Sequence, residues 1–72
     1  MKEQIIDILK SVLEDSSVNE LTSRENCGNW DSMHHLMMAV ELESQFGVEL
    51  QPEDIEAMQS VGDIERIIAS KN

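Results

Sequence analysis

The chain has 72 residues, 40% of them apolar, and a formal net charge of −10 from fifteen acidic and five basic side chains. A chain of this length forms one small domain with a modest core, which leaves little room for a large catalytic cleft. Its negative charge repels nucleic acid and anionic membrane surfaces, so the partners we expect are proteins with basic patches.

The cellular setting is indicated by three features of the sequence. A single cysteine excludes an internal disulfide and fits a reducing compartment. Acidic residues interrupt the first apolar stretch, which is unlike a signal peptide, and no apolar run approaches the roughly 18 residues that a membrane span needs. We therefore expect one domain over residues 1–72, a cytoplasmic monomer without a membrane span.

The first predicted element is a helix from about residue 2 to residue 14, where apolar side chains recur at helical spacing. Residues 15–30 are rich in Ser, Asn, Asp and Gly and predict a long loop. A loop of this length in so short a chain is usually functional or held down by its side chains. Leu21 and Trp30 are the residues that we expect to hold it.

Three further helices are predicted after the loop. The second begins at Asp31 or Ser32 and ends just before Gly47, since aspartate suits the N-cap and glycine the residue after a helix. Pro52 suits the first turn of a short third helix, and Ser-Val-Gly-Asp over 60–63 resembles a capping box that opens a fourth. The fold class we expect is all-α: a small four-helix bundle of three longer helices and one short helix, with a long loop between helices 1 and 2.

The second helix carries apolar residues on two sides. At about 100° per residue, one side forms an ordinary core face of Met38, Ala39, Leu42 and Phe46. The nearly opposite side carries Met33, Met37 and Val40, and Leu36 lies between the two sets. Two interpretations stay open: a central helix buried on both sides, or a partly exposed docking patch whose methionines adapt to several partners.

Carboxylates are concentrated around this helix. Residues 31–72 contain two bases and nine acids, a net charge of −7, whereas residues 1–30 contain three bases and six acids, a net charge of −3. These carboxylates form either an ordinary solvated face or the rim of a docking patch, which would steer basic partners toward it. The rim would comprise Glu41, Glu43, Glu53, Asp54 and Glu56.

Ser32 stands where the loop meets the second helix. Its hydroxyl would lie beside unpaired backbone N–H groups, at the positive end of the helix dipole, and both features favour a phosphate. It is therefore a physically sensible attachment point for a phosphodiester-linked group. The alternative is that Asp31 or Ser32 merely caps the helix, and the Asp-Ser pair taken alone favours that alternative.

Catalytic and metal-binding alternatives are weaker. Ser32 and His35 are three residues apart on one helix, but a hydrolase also needs an orienting carboxylate, oxyanion donors and a cleft. Cys27, Asp31 and His34 or His35 could ligate zinc, yet there is one thiol and no Cys-x-x-Cys pair. We expect no catalytic and no metal site, with His35 packed near the serine, His34 solvated and Cys27 an incidental thiol.

A longer pattern surrounds the serine. It consists of Trp-Asp-Ser-Met over 30–33, Gln-Phe-Gly-Val-Glu-Leu over 45–50, Pro-Glu-Asp-Ile over 52–55 and Ser-Val-Gly-Asp-Ile over 60–64. Further matches between these segments are Leu36, Met38-Ala39, Leu42-Glu43 and Met58. This pattern resembles the acyl carrier protein family, which includes peptidyl and other carrier domains, and the resemblance covers essentially the whole chain.

The resemblance implies a helical carrier whose serine, here Ser32, receives 4′-phosphopantetheine from coenzyme A through a separate phosphopantetheinyl transferase. The thiol of that arm holds acyl or aminoacyl groups as thioesters and presents them to loading and transferring enzymes with basic patches. On the family pattern the partner-facing positions are Asp31, Met33, Val40 and Glu41. The docking-patch interpretation, with its acidic rim, adds Met37, Glu53, Asp54 and Glu56.

Three residues depart from the usual family pattern. The position of Met37 is often acidic, and the positions of His34 and His35 are usually acidic or small and polar. The segment before Trp30 is also shorter than in carriers of fatty acid synthesis. These departures indicate a dedicated pathway, such as a specialised metabolite, a cell-surface glycan or an aminoacyl carrier cluster. The competing interpretation is an acidic helical protein-interaction module without a cofactor.

The negative charge also predicts how stability depends on salt. Repulsion among carboxylates opposes the compact state, and salt shortens its range from about 30 Å at 0.01 M to about 3 Å at 1 M ionic strength. We expect the thermal midpoint, followed by circular dichroism at constant pH, to rise with NaCl and with divalent cations. A midpoint that stays flat across this range would contradict a stability limited by self-repulsion.

Overall fold

A computed structural model describes residues 1–71 of the chain. Its elements are four helices: α1 (Lys2–Leu13), α2 (Ser32–Phe46), α3 (Pro52–Ala57) and α4 (Val61–Lys71). Over the described residues the only extended pairing is an isolated bridge between Ser23 and Ser60. The expected class is therefore confirmed, with three longer helices, one short helix and a long connection between α1 and α2. No helix within residues 1–71 has the length and apolarity that crossing a bilayer would require.

The ends of α2 are set by the two residues that the sequence predicts. The Asp31 carboxylate accepts a hydrogen bond from the backbone N–H of His34 at 3.0 Å, which satisfies one unpaired donor of the first turn. Gly47 adopts the left-handed conformation with φ 63°, and its N–H donates to the Glu43 carbonyl. Glycine takes this conformation without the steric cost that a Cβ atom would add.

The starts of the two later helices use carboxylates from their own first turns. At α3, the Asp54 carboxylate accepts from the backbone N–H of Gln51 at 2.9 Å. At α4, the Ser60 hydroxyl accepts from the N–H of Asp63 at 3.1 Å, while the Asp63 carboxylate accepts from the N–H of Gln59 rather than from Ser60. The predicted capping box is thus formed in its serine half.

The core lies where α1 packs against both α2 and α4. α1 buries one face made of Ile5, Ile8, Leu9 and Leu13. The other two helices contribute the residues expected from their apolar spacing: Met38, Ala39 and Leu42 from α2, and Val61, Ile64 and Ile68 from α4. α3 buries no residue completely, but Met58, directly after it, is fully buried.

The loop is held to the core by side chains, although one predicted residue is wrong. Trp30 is 2% exposed, as expected, whereas Leu21 is 80% exposed. The loop buries Val18, Thr22 and Cys27 instead. Of the two residues predicted to hold the loop, Trp30 is therefore confirmed and Leu21 is wrong.

A tight turn explains why Leu21 faces solvent. The side-chain carbonyl of Asn19 accepts from the N–H of Leu21, and the backbone N–H of Asn19 donates to the hydroxyl of Thr22. The N–H of Thr22 donates back to the Asn19 carbonyl at 3.0 Å. These bonds bury Thr22 and leave Leu21 at the tip of the turn.

The middle of the loop is attached to the junction between α3 and α4. The N–H of Arg24 donates to the Gln59 carbonyl at 2.8 Å, and the N–H of Val61 donates to the Thr22 carbonyl at 3.0 Å. Backbone bonds of this kind do not depend on side-chain identity. They hold residues 22–24 against the junction between α3 and α4, close to the start of α2.

Candidate functional site

The second apolar side of α2 is exposed. Its residues, called here the α2 patch, are Met33, Leu36, Met37 and Val40, each between 49% and 69% exposed. Of the two interpretations that the sequence leaves open, burial on both sides is therefore wrong. Isolated apolar residues on a surface are ordinary, but four neighbours on one helix form a contiguous patch that suits association.

Ser32 is the first residue of α2, and its side chain is exposed. Capping of the helix is performed by the Asp31 carboxylate, so the serine hydroxyl is not used for that purpose. Instead, the Ser32 Oγ accepts a hydrogen bond from Nη2 of Arg24 at 3.2 Å. The structure therefore separates the two roles that the Asp-Ser pair leaves ambiguous: the aspartate caps the helix, and the hydroxyl stays accessible.

A shallow groove of about 300 Å³ lies beside this hydroxyl. Arg24 and Ser32 lie at its polar side, Leu36 and Ile55 supply apolar surface, and Glu56 adds a carboxylate. The groove therefore joins the α2 patch, through Leu36, to α3. It offers a surface rather than an enclosed cavity, which agrees with the small size of the domain.

His35 holds the surroundings of Ser32 together. Its Nδ1 lies 2.9 Å from the indole Nε1 of Trp30, and its Nε2 lies 2.7 Å from the carbonyl oxygen of Ile55. The indole N–H can only donate, so Nδ1 accepts and the imidazole hydrogen is on Nε2, where it donates to Ile55. One buried side chain thus connects the end of the loop, the start of α2 and the short α3.

His34 pairs with the capping residue rather than standing free in solvent. Its backbone N–H and its Nδ1 both approach Oδ1 of Asp31, at 3.0 Å and 2.7 Å. The backbone N–H of His34 holds the pKa of the Asp31 carboxyl below its ordinary value, and the imidazole adds to this effect. A negative charge is therefore kept next to Ser32, on the helix's own cap.

The carboxylates predicted at the rim occupy different environments. Glu53 and Glu56 are exposed, and Glu41 is half-buried. Asp54 pairs with Lys71 at 2.7 Å, and this contact, together with the N–H of Gln51, lowers the pKa of the Asp54 carboxyl. Glu43, the remaining carboxylate of the predicted rim, accepts a hydrogen bond from the N–H of Leu50 at 2.9 Å.

The rival chemistries find little geometric support among the described residues. Nδ1 of His35 is bonded to Trp30 and Nε2 is bonded to Ile55, so neither nitrogen is directed at Ser32 as a base. Over residues 1–71 no group of three His, Cys, Asp or Glu side chains is arranged to hold a metal ion. Cys27 is buried, and its thiol donates to an Asp15 carboxylate oxygen at 3.6 Å.

Sequence reasoning does not identify Arg24 as part of the site. Arg24 lies eight residues before Ser32, and their contact depends on the path of an irregular loop. One signal in the sequence points to it: Arg24 is the only Lys or Arg in residues 15–30, and none follows until Arg66. A single basic residue before a long acidic stretch is a candidate to bind an anionic group that is attached within that stretch.

Comparison with known proteins gives one structural likeness. No protein-family model and no curated protein matches the chain. Among solved structures, the solution NMR structure of the holo acyl carrier protein from Geobacter metallireducens superposes with a TM-score of 0.85 and 24% sequence identity. The match covers 97% of this chain and 83% of that one. The chain therefore has the acyl carrier protein fold, and the fold implied by the sequence resemblance is confirmed.

The central position of His35 can be tested by substitution. Replacing His35 with leucine keeps an apolar filling but leaves the Trp30 N–H without its acceptor. The Ile55 carbonyl loses one of its two donors and keeps the N–H of Met58 at 3.2 Å. We expect a loss of about 1–3 kcal/mol in the free energy of unfolding, because that is the cost of one unsatisfied buried donor. Urea denaturation measures it. The control is His34→Leu, one residue along α2, where the loss should be much smaller; equal losses would show that the His35 contacts do not matter.

Proposed function

We propose that this chain is a carrier protein that holds acyl or aminoacyl intermediates as thioesters on a 4′-phosphopantetheine arm attached to Ser32. The observation that carries the proposal is the Ser32 hydroxyl: it is exposed at the start of α2, it is not used as the helix cap, and it stands on the acyl carrier protein fold. A cofactor-free interaction module would need no such hydroxyl.

The residues around Ser32 fit such an arm. The exposed hydroxyl can form a phosphodiester without displacing buried atoms, and the first turn of α2 directs backbone N–H groups and the positive end of the helix dipole toward an attached phosphate. The groove beside it provides apolar surface from Leu36 and Ile55 for the carbon chain next to the phosphate. When bound, the arm supplies a terminal thiol that holds the cargo as a thioester.

The chain's own part in the loading step is limited to presenting the nucleophile. Oγ of Ser32 forms a bond to the phosphorus of coenzyme A that bears pantetheine, and the bond from that phosphorus to the nucleotide breaks, so adenosine 3′,5′-bisphosphate leaves. The hydroxyl proton passes to a base of the transferase, because neither nitrogen of His35 faces the hydroxyl. The catalytic groups therefore belong to the partner enzyme.

Partner enzymes would be recognised by the α2 patch and the carboxylates beside it. Exposed apolar contact area comes from Met33, Met37 and Val40. Glu41 lies on the same helix, and Asp31 is its N-cap. The further acidic positions on α3 are Glu53, Asp54 and Glu56. Attraction between this field and basic partners speeds association, and the small contact area allows release after each transfer.

The departures from the family pattern support a dedicated pathway, and we place it in the cytoplasm because a single cysteine fits a reducing compartment. His34 and His35, unusual after the motif, have structural partners in Asp31, Trp30 and Ile55. The position of Met37, often acidic in the family, is apolar and exposed, so the partners of this chain would contact it with an apolar surface rather than a base. Partners of this chemistry would differ from those of general fatty acid synthesis.

Loading of the arm tests the proposal. The purified chain, incubated with coenzyme A and a phosphopantetheinyl transferase of broad specificity, should gain the mass of one phosphopantetheine, and Ser32→Ala should gain none. Intact-mass spectrometry measures both. Ser44→Ala, which removes another exposed hydroxyl of α2, is the matched control and should load normally.

Two results would overturn this account. A wild-type chain that stays unmodified with several different transferases favours the cofactor-free interaction module. A Ser32→Ala chain that still gains the full mass would place the arm on another side chain.

The α2 patch can be tested with two neighbouring methionines. Met37 is half-exposed and Met38 is fully buried, so a charge is tolerated by the fold at the first and not at the second. We expect Met37→Glu to keep the wild-type circular dichroism and midpoint but to raise the KM of the chain's own loading enzyme for the chain about fivefold to tenfold, the effect of losing about 1 to 1.4 kcal/mol of contact. Met38→Glu should unfold the domain. An unfolded Met37→Glu chain, or an unchanged KM, contradicts the assignment of the patch.

A further inference from the structure

We propose that Arg24 is a positioning residue for the phosphodiester of the arm: its guanidinium, which donates to the Ser32 hydroxyl, binds the phosphate oxygens once Ser32 is modified. This inference rests on the proposed function, and it goes beyond it by assigning a residue of the loop to the modified state. Arg24 lies outside the residue pattern around the serine, and the fold likeness assigns it no role.

The first observation is distance. Nη2 of Arg24 lies 3.2 Å from the oxygen that would become the ester oxygen. The non-bridging phosphate oxygens would stand one bond beyond the phosphorus attached to that oxygen, within the reach of the same guanidinium. Arginine is suited to this role because its planar set of donors binds two phosphate oxygens at once.

The second observation is that Arg24 has no competing carboxylate. Among the described residues, Lys2, Arg66 and Lys71 each lie within 4.0 Å of an acidic side chain, at Glu20, Asp63 and Asp54. Arg24 forms no such pair there, and its side-chain hydrogen bond goes to Ser32. Its charge is therefore available for an anion at Ser32.

The third observation is the surrounding charge. Asp31 stands directly before Ser32, and Glu56 lines the same groove. From Asp31 to Glu65 the sequence has nine carboxylates and neither Lys nor Arg. A phosphodiester adds another negative charge to this field, and like charges in proximity destabilise the folded state. Arg24 is placed to offset that repulsion.

The position of Arg24 is fixed by its backbone rather than by its side chain. Its N–H donates to the Gln59 carbonyl, and the neighbouring Ser23 forms a bridge with Ser60. Arg24→Gln keeps these contacts and removes only the charge and the forked donor set. The variant should therefore fold, which makes it a clean test.

The experiment compares the thermal midpoints of the unmodified and loaded forms of each chain, so the readout is the effect of the arm and not the rate of loading. Relative to wild type, we expect loading to lower the midpoint of Arg24→Gln by an additional 2–4 °C or so, the effect of one exposed charge pair in a domain of this size. Arg24→Lys should recover part of the difference. Arg66→Gln changes the net charge equally but lies outside the groove, and it should behave as wild type.

A second measurement uses the wild-type chain alone. In ¹⁵N-resolved NMR spectra, loading should shift the side-chain Nε–H signal of Arg24 and leave that of Arg66 in place, and this readout decides the question even if a variant loads poorly. The inference is overturned if the Arg24 signal stays in place, if Arg24→Gln responds to loading as wild type does, or if Arg66→Gln shows the same loss. A wild-type chain that never loads instead contradicts the proposed function itself.

Discussion

The arrangement around Ser32 depends on one buried hydrogen-bonded chain, from the Trp30 indole through the His35 imidazole to the Ile55 carbonyl. The buried Trp30 N–H and both nitrogens of the buried His35 ring are thereby satisfied, as buried polar groups generally are. These hydrogen bonds also connect the end of the long loop and the first turn of α2 to the short α3, which buries no residue completely. Without them, the groove beside the serine would lack a fixed wall.

The residues at the start of α2 have separate roles. Asp31 satisfies the helix cap and His34 pairs with Asp31, so Ser32 is left with an exposed hydroxyl whose partner is a cation from the loop. This geometry suits a site that other enzymes modify and handle, since the chain presents a reactive atom while its own imidazole is engaged elsewhere. On the proposed function the catalytic groups lie in the partner enzymes, and this chain contributes position, charge and an apolar contact surface.

Helix positions and their caps could be predicted from the sequence because they depend on local spacing: Asp31, Gly47 and Pro52 fall where the patterns place them. For Met37 the sequence leaves two options, burial or exposure. A helical wheel shows which residues share a side of the helix but not whether other elements pack against that side. The existence of the loop could be predicted from its composition, but its path could not. Leu21 is apolar yet faces solvent because the turn at Asn19 decides its direction, and the approach of Arg24 to Ser32 depends on backbone bonds to residues far along the chain.

The account rests on a covalent arm at a single oxygen, and the most direct measurement is made on the protein as cells produce it. Tandem mass spectrometry of the peptide that contains Ser32, from chain purified out of its own cells, reads the modification and its position together. The account predicts a phosphopantetheine on the Ser32 oxygen in at least part of the population. Peptide found only with a bare serine hydroxyl, in cells that modify other carriers, would contradict it.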